Sequence, residues 1–199
     1  MSGPAASVLL PKPLTGSSDS ALRKLIAAVS DESPGGSSDL EDFWVCDTGP
    51  AGGGYAGAGR PFAVFTGLQP DRVPEEIAQV AGTFGFMPVD EIVVVAFCNS
   101  DDDHRILGEL CLWLVEQFGG VVNFDGALWP SLPPESEIDI LHCDWRQVEP
   151  HFRRMVEGMP GRVASVWYEL QDGRQWVIHV GDTDFMRAWL EHPRFRMVK

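Results

Sequence analysis

The stretch 89–126 reads Val89-Asp90-Glu91-Ile92-Val93-Val94-Val95-Ala96-Phe97-Cys98, then Asn99-Ser100-Asp101-Asp102-Asp103, then a segment from His104 to Phe118, then Gly119-Gly120-Val121-Val122-Asn123-Phe124-Asp125-Gly126. The β-branched run Ile92-Val93-Val94-Val95 has no polar alternation and predicts a strand buried on both faces. Over 104–118 the apolar residues Ile106, Leu107, Leu110, Cys111, Trp113, Leu114 and Phe118 cover most of a helical surface. Charge is confined to a narrow stripe through Arg105, Glu109 and Glu116, so the helix is expected to be covered almost all round. Ser100 or Asp101 is placed to cap its first N–H groups, and Gly119-Gly120 offers a left-handed stop. Strand, acidic loop, buried helix and strand form a core around which the other segments are ordered.

Upstream, Ser7-Val8-Leu9-Leu10 is a short strand closed by Pro11 and Pro13. The spacing of Leu22, Leu25, Ile26 and Val29 predicts a helix over 19–29. Strands follow at 43–46 and 62–65, joined by a glycine-rich run, 48–59, that is too long for a tight hairpin and reads as a mobile loop. Pro74 opens a helix to Phe84, with Glu75 and Glu76 suited to the positive end of its dipole. Downstream come a strand at 121–124, an edge strand at 138–142, a helix from 145 or 147 to 157, and a hairpin of 163–170 with 175–180 around an Asp172-Gly173 turn. A last helix, 182–191, precedes a terminal strand at 195–198. This order predicts an α+β fold: two ferredoxin-like (split βαβ) halves packed around a central buried helix. The chain is then one globular domain, 1–199, with a pseudo-duplication of 1–103 and 119–199 joined by helix 104–118.

The chain has a formal net charge of −14, and the charge is unevenly placed. Residues 1–60 hold seven acids and four bases, 61–145 fifteen and two, and 146–199 seven and nine, giving −3, −13 and +2. A negative middle of that size repels nucleic acid and anionic lipid and favours a basic protein partner. With 44% hydrophobic residues, seven tryptophans and eleven phenylalanines, the composition is that of a folded protein rather than a disordered one. Cys46, Cys98, Cys111 and Cys143 form no CxxC pair and read as reduced thiols of a cytoplasmic protein. The N-terminus has neither a basic region nor an apolar stretch of export length.

Three short motifs invite chemistry and support little of it. Gly52-Gly53-Gly54-Tyr55-Ala56-Gly57 matches GxGxxG, but Pro61 and a strand follow where a dinucleotide site needs a helix N-terminus. Asp101-Asp102-Asp103-His104 lacks calcium-loop spacing, and capping already accounts for acids at a helix start. His142-Cys143-Asp144 places three reactive groups side by side, whereas a catalytic set must converge in space. There is no GxSxG, HExxH or paired-cysteine spacing, so no catalytic residue, cofactor or metal is expected.

The segments His104-Arg105-Ile106-Leu107-Gly108, Phe118-Gly119-Gly120-Val121-Val122-Asn123-Phe124-Asp125-Gly126, His179-Val180-Gly181-Asp182 and the ending from Trp189-Leu190 through His192-Pro193-Arg194-Phe195-Arg196-Met197-Val198-Lys199 carry a resemblance. They are similar to an uncharacterised domain-of-unknown-function family of about this length from high-GC soil bacteria, and the similarity covers most of the chain. By analogy with small acidic cytosolic proteins of this kind, the resemblance implies an immunity partner of a secreted toxin. The expected function is therefore a non-catalytic, cytoplasmic binding protein that captures a basic toxin domain. Asp101, Asp102 and Asp103, with Asp139 and Asp144, form the expected contact set. The alternative is a small-molecule sensor or enzyme with a pocket between the two halves, suggested by seven tryptophans spread over both.

Overall fold

The first strand is also the middle one. A computed structural model describes residues 3–30, 42–68, 74–128, 145–170 and 173–198. Within them, β1 (Ala5–Leu10), β2 (Phe43–Asp47), β3 (Ala56–Thr66), β4 (Asp90–Ala96), β5 (Val121–Asn123), β6 (Val163–Glu169) and β7 (Gln175–Gly181) form one sheet of order β2-β3-β4-β1-β5-β7-β6. Every pairing is antiparallel. The helices are α1 (Gly16–Val29), α2 (Pro74–Phe84), α3 (Asp101–Phe118), α4 (Trp145–Val156) and α5 (Thr183–Leu190).

The α+β class expected from the sequence is therefore present, but the division into two ferredoxin-like halves is not what the strand order gives. A split βαβ unit holds an antiparallel strand between the two parallel strands that its helix joins; β5-β7-β6 has that order, but β3 and β4, on either side of α2, are direct antiparallel neighbours and β1 and β2 run antiparallel, so two such halves are not confirmed. Instead β1 sits between β4 and β5, pairing Val8 with Ile92 on one side and with Val122 on the other. One sheet thus runs continuously through the segments that the sequence assigns to separate halves.

Alternation along the strands sorts side chains to two faces. On one, Ala6, Val8 and Leu10 of β1, Ile92, Val94 and Ala96 of β4, and Phe62 and Val64 of β3 are buried. They lie beneath α3, which contributes Ile106, Leu107, Leu110 and Leu114, with Leu22, Leu25 and Ile26 of α1 and Phe185, Met186 and Trp189 of α5 in the same cluster. On the other face, Val80 and Phe84 of α2 pack against Leu9, Val121, Ala164, Val166, Ile178 and Val180. Helix α2 contacts β6, so its cover lies at that end of the sheet.

Several segments depart from expectation. The run in β4 is covered on one face only: Ile92, Val94 and Ala96 are fully buried, whereas Val93 and Val95 are partly exposed and Phe97 is 44% exposed. Helix α3 starts three residues before His104, because Ser100 and Asp103 close a capping box there. Trp113 is only half-buried, edge-on to Phe118 at 5.8 Å; the wholly buried indole is Trp189. The last residues form no strand. Phe195 instead lies 6.2 Å from the Trp189 ring and against Gly108 of α3, the Trp189 indole N–H donates to the Arg196 carbonyl at 3.2 Å, and Met197 is buried. The expected edge strand at 138–142 lies outside the described residues.

Candidate functional site

The N-terminus of α3 gathers the charged residues singled out by the sequence, and it treats them differently. The Ser100 hydroxyl accepts from the Asp103 N–H, while the Asp103 carboxylate accepts from the Ser100 N–H at 2.6 Å. Asp103 is then gripped by Arg60 of β3, which donates from Nε at 2.9 Å and from Nη2 at 2.5 Å, a bidentate pair. The Asp103 side chain is wholly buried. Burial alone would raise its pKa, but the bonds from Arg60 and Ser100 outweigh burial and hold it below the ordinary carboxylate value. Arg60 is correspondingly raised by its hydrogen bond to Asp103. The charge of Asp103 is thus spent inside the fold.

Asp101 and Asp102, two residues and one residue earlier, remain exposed. The Asp101 side chain is completely so, with Arg196 no nearer than 3.9 Å. The expected contact set is therefore divided: two solvated carboxylates on the first turn and one that binds the helix to the sheet. Asp139 and Asp144 lie outside the described residues, as do His142 and Cys143. His104 points inward, 2% exposed, with Nε2 3.0 Å from the Asn99 side-chain oxygen.

Two turns further along α3, Glu109 belongs to the charged stripe in sequence but is 4% exposed. Its carboxylate accepts from the Thr48 hydroxyl at 2.5 Å, from the Gly54 N–H at 3.0 Å and from Arg105 Nε at 2.7 Å. These bonds order the glycine-rich run that the sequence presents as a mobile loop. Gly49–Ala51 is a single 3-10 turn, Thr48 and Tyr55 bond across it, and β3 begins at Ala56. A Cβ at Gly53 would collide with Glu109 Oε2 and Thr48 Oγ1, so this glycine is required by close approach to a carboxylate of the protein itself. In the GxGxxG match the N–H groups of Gly53, Gly54 and Tyr55 all donate within the protein, to Thr48 and Glu109. Sequence alone held a faint signal for this: a glutamate on an otherwise covered helix needs a partner.

A third polar cluster was not singled out by the sequence. Glu149 of α4 accepts from the Ser165 hydroxyl of β6 and from Arg153 Nε at 2.7 Å, and lies 3.3 Å from His179 Nε2 of β7. His179 Nδ1 accepts from the Leu128 N–H at 2.7 Å, which leaves the proton on Nε2, facing Glu149. Phe152 stacks on the imidazole at 3.5 Å. Burial lowers the His179 pKa, so the ring is neutral at pH 7. Serine, glutamate and histidine are all present, but the carboxylate stands between the other two. His179 has no contact through which to take a proton from Ser165, and the cluster reads as a satisfied network joining α4 to the sheet.

Among the described residues, no group of three or more His, Cys, Asp or Glu side chains is arranged to hold a metal ion. Cys46, Cys98 and Cys111 are free thiols, and burial pushes the Cys111 thiol up to about 12, which makes it inert. Among the described residues no helix is long and apolar enough to cross a membrane.

Residues 2–199 match a family of unknown function, DUF6368. The chain belongs to that family. The match takes in every element of the sheet and both ends of α3, so all of the clusters above lie within the family's domain. Comparison with curated proteins and with solved structures gave no match to either.

Proposed function

We propose that this DUF6368 protein is a non-catalytic binding protein of the cytoplasm, an immunity-type inhibitor that captures a basic toxin domain. The observation that carries this reading is the pair of solvated carboxylates, Asp101 and Asp102, at the head of a helix whose third acid is already neutralised by Arg60. They stand in the part of the chain that carries −13 of the total charge. Exposed charges of one sign on a rigid helix start attract an oppositely charged surface over a Debye length and reject partners of the wrong sign. The three polar clusters support a binding role in another way: their hydrogen-bonding capacity is turned inward on the fold.

The test is capture of the products of adjacent genes by the intact chain, followed by association kinetics across a salt series. Asp101→Asn with Asp102→Asn should slow association several-fold and flatten its salt dependence, while the dissociation rate changes little. An unchanged association rate would sink the reading.

A further inference from the structure

The fold closes the two ends of its sheet by different means. At β2 the ladder with β3 shifts register between Val45 and Asp47, and Ser30 forms an antiparallel bridge to Val45 on the outer side. At β6 the ladder with β7 runs without a shift from Val163 to Glu169, and the strand, Val163-Ala164-Ser165-Val166-Trp167-Tyr168-Glu169, has no proline, lysine or arginine. A regular, largely apolar strand at a sheet end is a template on which another strand can pair. Its outward groups follow from the ladder. The Asp182 N–H donates to the Arg162 carbonyl at 2.9 Å and the Leu170 N–H to the Arg174 carbonyl at 2.8 Å. Alternation then turns the backbone of Ala164, Val166 and Tyr168 toward β7, and that of Val163, Ser165, Trp167 and Glu169 away from it.

Helix α2 meets this edge with one side chain. Gln79 Oε1 accepts from the Trp167 N–H at 2.9 Å, and Gln79 Nε2 donates to the Trp167 carbonyl at 2.6 Å. Nε2 also donates to the Glu75 carbonyl at 3.2 Å, so the amide is satisfied in one orientation only. It offers Trp167 the same two bonds as a residue of a neighbouring strand. Its position is fixed by what surrounds it. Val80, the next residue, and Phe84 are buried against Ala164 and Val166. At the far end of α2, Arg162 Nη1 donates to the Thr83 carbonyl at 3.2 Å, with the guanidinium 5.4 Å from the Phe84 ring. Elsewhere on the edge, Arg153 Nη1 donates to the Val163 carbonyl at 3.3 Å, and among the described residues the N–H groups of Ser165 and Glu169 have no hydrogen-bond partner.

We infer that Gln79 is an autoinhibitory contact: its amide fills the strand position beside β6 and keeps β6 from pairing with the β6 of a second copy. The edge is self-complementary. An antiparallel pairing centred on Trp167 sets the N–H and C=O of each Trp167 against those of the other, replacing both bonds of Gln79, and sets Ser165 opposite Glu169. The outward N–H groups that lack a partner in the single chain would gain one there. Gln79 takes the central pair out of that arrangement, as the covers on other native sheet edges do.

Sedimentation velocity over a range of protein concentrations tests it, at about 0.3 M salt so that the repulsion between copies of net charge −14 is screened. The native chain should sediment independently of concentration. Gln79→Ala, which keeps a strong helix former in α2, should shift toward a dimer as the concentration rises. Glu169→Pro added to Gln79→Ala removes one outward N–H, leaves the bonds to β7 in place and should restore the single species. Hydrogen exchange on the native chain is a measurement that needs no variant: corrected for intrinsic rates, the Trp167 amide should exchange at least roughly fivefold more slowly than those of Ser165 and Glu169. Gln79→Ala that sediments as the native chain does, a dimer that Glu169→Pro leaves intact, or equal exchange of the three amides overturns the inference. So does a native chain that dimerises with new protection in β6, since Gln79 would then not be keeping the edge closed.

Discussion

Replacing Glu109 by glutamine should loosen the link between α3 and the glycine-rich turn, and the structure sets the size of the effect. The carboxylate accepts three hydrogen bonds, from Thr48, Gly54 and Arg105, while being 4% exposed. An amide of the same shape retains one acceptor oxygen, removes the negative charge and turns an N–H₂ toward one of these donors. Arg105 is 42% exposed, so solvent screens its share of the loss. The Thr48 and Gly54 bonds are the better shielded, and hydrogen bonds to a charged group contribute about 1.5–3 kcal/mol. We expect Glu109→Gln to cost about 2–4 kcal/mol, which at this chain length lowers the melting temperature by roughly 4–16 °C.

The effect must also depend on pH with a definite sign. Burial by itself would raise the Glu109 pKa, but its hydrogen bonds from Thr48, Gly54 and Arg105 outweigh that and hold it below the ordinary 4.5. A carboxylate depressed in the folded state stabilises fully above its unfolded pKa, and that contribution disappears as pH falls through the folded value. The gap between the native chain and Glu109→Gln, measured by calorimetry, should therefore be constant at neutral pH and narrow below about 4.5. Melting temperatures within a degree or so of each other at pH 7 would refute the assignment of Glu109 as an anchor.

Gly120→Ala should prevent folding or cost more than about 4 kcal/mol, because φ there is +96° and a Cβ would collide with the Leu9 carbonyl oxygen of the middle strand; a soluble chain of native melting temperature would contradict this. Trp189→Ala should cost roughly 3–5 kcal/mol in one cooperative transition and half-buried Trp113→Ala clearly less, since the Trp189 ring lies 6.4 Å from Phe185 and 5.0 Å from His192; equal losses in urea titrations would count against the packing described. Burial lowers the pKa of both His104 and His179, so between the lower folded values and 6.5 the unfolded chain binds more protons and stability falls as pH drops through that window. The urea midpoint should decrease from pH 7 to pH 5, and His179→Gln, which can still accept from Leu128 and donate to Glu149, should flatten that slope; an unaltered slope would show that His179 takes no part.

Local signals were sufficient for most of the elements. The period of Leu22, Leu25, Ile26 and Val29, the proline at the start of α2, the Gly119-Gly120 stop and the Asp-Gly turn between β6 and β7 all act within a few residues, and the helices and strands they mark are present. The concentration of negative charge in the middle of the chain is likewise a property of the sequence alone. Strand order is not, because it depends on which hydrophobic faces pair across long separations: β1 meets both β4 and β5, and no local pattern distinguishes that arrangement from two separate βαβ units. The same reason separates three consecutive aspartates into two exposed carboxylates and one buried ion pair, since Arg60 lies 43 residues away in the chain. It also turns a glycine-rich run into an ordered turn, because the carboxylate that organises it comes from Glu109 on another element. Which residues form helices and strands was encoded locally; which carboxylates remain exposed was decided by the tertiary contacts that buried the others.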